Sequence, residues 1–395
     1  MSAAQANSRQ NSSRQSSSRQ NSSRIDRTQS SLLSSNNKLK LAVFGVNVSS
    51  GCTMTSAEGT IQVEWAESKR IAQAAEKMGI EGMVPVARWR GFGGDVDFNH
   101  RSFETYTWAA GLAAATEKIS IFSASHVPTV HPVLAAKQGA TIDHISDGRF
   151  VLNIVAGWNE TEIAMFGAPQ KLHDDRNAVA GEWITIMKRL WTEEDSFDFK
   201  GKYFSVPNAY SEPKPIQSPY PLIMSAGLSP AGRRFAAEHA DFNFVVVSSL
   251  EAARASIAEI KDLAWQEFGR EIRVFGMGYV VCRDTEQEAK SYEHYYVHEK
   301  GDWTGVRNLL NTFIPNSESM SPEESRALAT NMIAGYGALP LVGTPQQVVE
   351  GMQAMSDVGM DGLTLCWVDY DEGLAQFEEQ TLPLMIQAGL REEQA

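Results

Sequence analysis

The side chains able to do chemistry in this sequence are polar, only weakly acidic, and spread along the chain. The signatures HExxH, GxxxxGK[ST] and GxSxG are absent, and no Asp/Glu cluster of metal-ligand type occurs. Zinc hydrolysis, P-loop phosphoryl transfer and serine hydrolysis are therefore disfavoured, and no metal is expected. Two glycine-rich stretches carry more information. In SAGLSPAG, residues 225–232, the small residues around Gly227 let backbone approach a ligand, Ser229 can cap a helix, and free N–H groups of a nascent helix attract an anion. A phosphate site and an ordinary strand-to-helix turn both fit. RWRGFGGD, residues 88–95, is no dinucleotide fingerprint, because the third glycine is misplaced and no helix opens directly after it. Turn chemistry accounts for it. Among eight histidines, His126 is the one expected to touch substrate or handle a proton; His173 falls in an HDDR turn. Cys52, Cys282 and Cys366 are too far apart for a zinc knuckle or a CxxC pair, and Cys282 and Cys366 read as inert core thiols. Trp89, Trp158, Tyr279 and Trp367 either line the rim of the core or face a flat ring ligand.

These residues need a scaffold, and the apolar pattern supplies one. Strands are expected near 40–48, 81–86, 118–125, 149–155, 220–225, 241–247, 273–282 and 361–367, with amphipathic helical stretches between them. Eight strand–helix alternations imply parallel strands and a closed (β/α)8 barrel, the TIM-barrel class of α/β fold. Active sites of such barrels lie at the C-terminal ends of the strands, where Arg88, His126, Asn153 and Ser229 fall. Two insertions are expected, at 193–219 with a β-hairpin and at 284–344, the latter long enough to cover the mouth. Thr344-Pro345-Gln346-Gln347 reads as a capping box that starts a helix at 345.

Charge divides the chain. The net charge is −13, yet residues 1–38, rich in Ser, Arg and Gln, are basic. This stretch cannot bury enough apolar surface to offset its chain entropy and is expected to be a disordered tail ahead of a barrel at 39–395. Its five-residue Arg spacing rotates each Arg about 140° from the last, so no amphipathic transit helix forms. The acidic remainder repels phosphate backbones, which argues against nucleic acid. No run is long and apolar enough for a membrane span, and three isolated cysteines suit a reducing, cytoplasmic compartment.

Several segments in fixed order resemble the bacterial luciferase-like flavin monooxygenases: RWRGFGG at 88, ATIDHISDGRF at 140, NIVAGWNETE at 153, HDDR at 173, IMSAGLSPAG at 223 and LVGTP at 341. Within that family the chain is most similar to the group containing pyrimidine oxygenase and dimethylsulfone monooxygenase. The resemblance implies a barrel that binds reduced FMN (FMNH2) delivered by a separate NAD(P)H-dependent flavin reductase. Dioxygen would be the co-substrate, one oxygen atom would enter a small pyrimidine-, amide- or organosulfur-type molecule, and the protein would be a dimer or tetramer. It places Arg88, Asn153, Glu162, Arg176, Asn177 and Ser229 at flavin positions, with Asn153 also beside the oxygen pocket. Relatives usually carry tyrosine at 177, and pyrimidine-type relatives a threonine where this chain has Ala124. Ser123 or Ser125 would replace that hydroxyl only through a local change of register. A deazaflavin-dependent oxidoreductase and a non-catalytic flavin-binding protein are the alternatives on the same barrel.

Overall fold

A computed structural model describes residues 24–167, 175–227, 229–247, 249–313 and 321–393. Eight parallel strands close a barrel in chain order: β1 Lys40–Phe44, β2 Gly82–Val84, β3 Ser120–His126, β4 Phe150–Val155, β5 Leu222–Ser225, β6 Phe242–Phe244, β7 Arg273–Cys282 and β8 Gly362–Cys366. The β6–β7 pairing completes the ring. Nearly every strand residue is buried, because the lumen is filled by side chains and the outer face is covered by helices. Parallel strands therefore read as continuous apolar runs, and all eight expected strands are present.

The crossover helices are α1 Trp65–Lys77, α2 Thr105–Ala115, α3 Pro132–Ile145, α4 Arg176–Thr192, α5 Pro230–His239, α6 Leu250–Phe268 and α7 Pro345–Asp357. The expected cap of α7 is formed: Thr344 Oγ1 accepts from Gln347 N, and the Gln347 side chain accepts from Thr344 N at 2.9 Å. The first insertion holds the expected hairpin, Phe197–Lys200 paired with Ser205–Ala209. The second contains helices Glu286–His294, Trp303–Phe313 and Pro322–Gly335, then a ninth parallel strand, Leu339–Gly343, that the sequence reading did not anticipate. This strand pairs with β7 at 278–282. Residues 278 and 279 of β7 also pair with β8, so the ninth strand takes the edge that short β6 leaves free higher up. Arg283 N donates to Gly343 O at 3.0 Å, which brings the two ends of the insertion together.

The expected extent of the disordered tail needs correction. Residues 24–38 are built into the N-terminal end of the barrel, and residues 1–23 lie outside the described residues. Arg24 donates to the carbonyls of Gln217 and Pro219. Arg27 makes two 2.9 Å bonds to Asp241 and lies 4.7 Å from the Tyr220 ring centroid. Leu32 is fully buried, and Arg273 donates to Leu32 O and Leu33 O. Composition misjudged this stretch because arginine paired with the acidic body does the work that apolar burial does elsewhere. At the same end the buried pair Arg391–Glu81 (3.0 Å) ties the C-terminal residues to the start of β2. That end is sealed, and the opposite end holds the site.

Candidate active site

Strand register sets the lumen. Ala124 pairs with Asn153, His126 with Val155, and Asn153 with Met224, so Ala124, His126, Asn153 and Met224 share one face of the sheet. The other face of β3 meets α2: Ser123 Oγ donates to Thr105 Oγ1 at 3.2 Å, and Ser125, two residues on, points the same way. No register change occurs, and neither serine replaces a hydroxyl at Ala124. The Asn153 Oδ1 is buried without a hydrogen-bond partner.

Arg88, in the loop after β2, is 4% exposed. Its Nη1 lies 3.4 Å from Glu162 Oε2, its Nη2 donates to Tyr336 Oη at 3.2 Å, and its guanidinium carbon is 5.0 Å from the ring centroids of both Phe92 and Trp158. The Nε–H is buried and unpartnered. Glu162, fully buried, belongs to the short helix Glu160–Met165, which Asn159 caps. Its Oε1 accepts from Trp89 N at 2.7 Å and Arg90 N at 3.2 Å. Both carboxylate oxygens are thus spent on the 88–90 loop, so Glu162 fixes Arg88 and its loop. His126 is buried, and burial first, then the Arg88 charge, depresses its pKa to about 3. At neutral pH it is an uncharged imidazole, able to exchange hydrogen bonds but not to donate a proton as imidazolium.

Beyond Trp158 lies a cavity of about 250 Å³ bounded by Arg176, Asn177, Ser225, Gly227, Ser229 and Phe313, among others. Here the expected Arg176, Asn177, Gly227 and Ser229 come together. Ser229 caps α5, its Oγ accepting from Gly232 N at 3.1 Å. A Cβ on Gly227 would lie 2.6–2.7 Å from Gly232 backbone atoms, so glycine there first permits the tight strand-to-helix turn.

Residues 284–313 and 321–344 of the second insertion form a roof. Met54 N donates to Ile333 O, Asp302 N to Met54 O and Val96 N to Asp302 Oδ2, all within 2.8–3.1 Å. Asn308 Nδ2 donates to Phe92 O, and Phe313 meets Trp158 edge-on at 5.0 Å. Tyr296 and Ile333 are fully buried, so this cover is part of the core.

Three of the four strand-end aromatics take the first of the two roles open to them, packing at the rim of the core. Tyr279 Oη donates to Glu293 on the insertion's first helix, Trp367 packs edge-on against Tyr370 and Phe377, and Trp89 sits at the exposed rim against Phe166. His173 lies outside the described residues. The aromatic wall is instead Phe92, Trp158, Phe313 and Tyr336. Tyr336, which the sequence reading missed, ends helix Pro322–Gly335 at φ 56°; a non-glycine residue in that region is uncommon, and its glycine neighbours 335 and 337 were the available signal. Cys282 and Cys366 are buried free thiols, as expected, and Cys52 is another. Among the described residues no metal-holding group of His, Cys, Asp or Glu occurs, and no helix is long and apolar enough to cross a membrane.

The mouth thus offers a buried unpaired donor, Arg88 Nε–H, against the Phe92 and Trp158 rings, and a buried unpaired acceptor, Asn153 Oδ1, on the face of β4 shared with His126 and Met224, with Arg176 and the capped start of α5 around the cavity beyond Trp158. A flat heterocycle with donor and acceptor atoms on its edge and an anionic tail fits that set.

Residues 43–362 match the family described as Luciferase-like monooxygenase. The FMNH(2)-dependent dimethylsulfone monooxygenase of Pseudomonas putida is 30% identical over 354 residues, 88% of this chain and 95% of that protein. The pyrimidine monooxygenase RutA of Bradyrhizobium sp. is 31% identical over 362 residues, 89% and 99% of the two chains. Among solved structures, riboflavin lyase (RcaE) superposes with a TM-score of 0.80 at 21% identity, over 89% of this chain and 92% of that one, and shares the barrel.

Proposed function

We propose, for a chain that belongs to the luciferase-like monooxygenase family, that the roofed mouth binds reduced FMN and that the protein oxygenates a small organic substrate with dioxygen. The observation that carries this reading is the pair of buried, unpaired polar atoms, Arg88 Nε and Asn153 Oδ1, beside a cavity that gathers Arg176, Asn177, Gly227 and Ser229. Arg88 and Asn153 hold the edge of the ring system, and the cavity residues hold the phosphate. When bound, the reduced flavin supplies the electrons that activate dioxygen. The protein orients, desolvates and donates hydrogen bonds. Glu162 keeps Arg88 in place through three contacts. His126, held uncharged, serves as a neutral hydrogen-bonding group toward substrate. The roof excludes water, which protects a reactive oxidant from wasteful decay.

Arg88 is already neutralised by Glu162, so the pocket favours an uncharged polar substrate, a small heterocyclic amide or an organosulfur compound, over a sulfonate. A separate NAD(P)H-dependent flavin reductase supplies the reduced cofactor. The dimer or tetramer expected from the resemblance and a cytoplasmic location belong to the same reading. The test mixes purified protein, anaerobically reduced FMN and a panel of amides, pyrimidines and sulfones with oxygenated buffer, and follows product by mass spectrometry. An oxygenated product supports the reading. Tight binding of a deazaflavin in place of FMN, with no oxygenated product, overturns it in favour of a dehydrogenase or reductase.

A further inference from the structure

A solvent-facing cavity of about 500 Å³ lies at the sealed, N-terminal end of the barrel, remote from the mouth. It is enclosed by the chain entering β1, the C-terminal part of α6, the turn from α6 into β7 and the residue before β8. Five cations line it, Lys38, Lys40, Lys261, Arg270 and Arg273, against two carboxylates, Glu271 and Asp361. That balance is the reverse of the whole chain's, whose net charge is −13.

Pairing does not use up the excess. Lys261 takes Asp361 at 2.9 Å, and the same Asp361 oxygen accepts from Val274 N. Lys38 reaches Asp357 at 3.2 Å, with both side chains half exposed. Arg270 shares Asp241 with Arg27. Lys40 and Arg273 have no ion pair among the described residues. Lys40 Nζ donates to Asn37 O at 2.5 Å, which occupies one of its three N–H donors, and Arg273 donates to the carbonyls of Leu32 and Leu33. Lys40 is only 9% exposed. Burial first, and then the Arg273 charge, hold its pKa below the ordinary lysine value. Glu81, whose charge also acts on Lys40, is already spent on Arg391, Leu41 N and Asn37 Nδ2. Two like charges, one of them nearly buried, thus stand together on a cavity wall with spare donors and only carbonyls for company. An anion in the cavity would offset both the desolvation and the repulsion.

We infer that this cavity binds a small multivalent oxyanion of the pyrophosphate type, seated on Lys40 and Arg273, with Lys38 closing over it from the rim. Such a ligand would tie the entering chain at 32–40 to α6 and β7. The inference does not depend on the flavin reading, because the two sites lie at opposite ends of the barrel.

Calorimetric titration of the full-length protein with inorganic pyrophosphate, at constant ionic strength in chloride, tests it. Saturable binding is expected. Trp265, 60% exposed at the cavity's edge, should report it as a change in tryptophan emission that Trp265→Phe lacks. Lys40→Met should weaken binding about tenfold or more. Lys38→Met should weaken it about threefold, as suits an exposed charge, and it stands in if Lys40→Met does not fold. Lys290→Met, on the roof, and Arg176→Ala, at the mouth, should leave the affinity within about twofold. No saturable binding overturns the proposal. So does binding that survives both Lys40→Met and Lys38→Met, that falls as far with Lys290→Met, or that is lost with Arg176→Ala, since the anion would then sit elsewhere or be held by overall charge.

Discussion

Replacing Asn153 with alanine separates the amide's part in binding from its part in folding. Its carbonyl oxygen is buried without a partner, and an unmet buried acceptor costs about 1–3 kcal/mol. Alanine removes that penalty and leaves a void. At about 24 cal/mol per Å³, a void the size of one water, roughly 30 Å³, costs about 0.7 kcal/mol. The apoprotein should therefore be more stable by roughly 0.3–2.3 kcal/mol. Flavin binding should move the other way. A net loss of about 0.5–1.5 kcal/mol from one hydrogen bond raises Kd roughly two- to twelvefold, and under the proposed function, which puts the amide beside the reacting edge of the flavin, oxygenation should fall further. Urea unfolding followed by tryptophan fluorescence reads the first quantity and FMN titration the second, with an unchanged slope in urea showing that the comparison is sound. An apoprotein weakened by more than about 1 kcal/mol with FMN affinity intact would refute the reasoning, since the amide would then be a structural group.

Three further outcomes are expected. Tyr336→Phe removes the roof's hydrogen bond to Arg88; product should fall and hydrogen peroxide rise for the same NADH consumed, with FMN affinity little changed, and unaltered coupling would show that the roof does not act through Arg88. Glu162→Ala strands the Arg88 charge and two backbone donors, which should cost about 3–5 kcal/mol in urea unfolding; a loss below about 1 kcal/mol would mean the loop is held by other contacts. His126 has a folded pKa of about 3 against an ordinary 6.5, so the unfolded chain binds more protons between those values. Its stabilising effect is complete above pH 6.5 and is lost as pH falls toward 3, about 2 kcal/mol of it by pH 5. His126→Gln should remove that part of the acid sensitivity between pH 7 and 5, leaving the share of His239, whose pKa is likewise depressed to about 3 by burial and by Lys188 and Arg270.

Much of the barrel was legible because strands buried on both faces must be apolar throughout, as in Lys40–Phe44 and Arg273–Cys282. The strand-end rule then brought Arg88, His126 and Asn153 to the mouth. Sequence could not say which way a side chain near a strand end turns, since one step of register reverses it. The choice between the two roles open to Tyr279 and Trp367, core packing or facing a ring ligand, therefore had to come from the structure, which makes them packing groups. Tyr336 was missed because its contact to Arg88 spans 248 residues of chain. Residues 24–38 were misread because composition weighs apolar burial and is blind to the Arg27–Asp241 pair.

Where the insertion departs, Arg283 meets Gly343 through a main-chain hydrogen bond, and the returning strand zips onto β7 beyond the reach of β6. The seams of the ceiling thus lie side by side on the longest stave of the cylinder, the ten-residue β7. Exchanging everything between them would change the floor as well as the ceiling, because Tyr336 holds Arg88 and Phe313 bounds the cavity of Arg176 and Ser229.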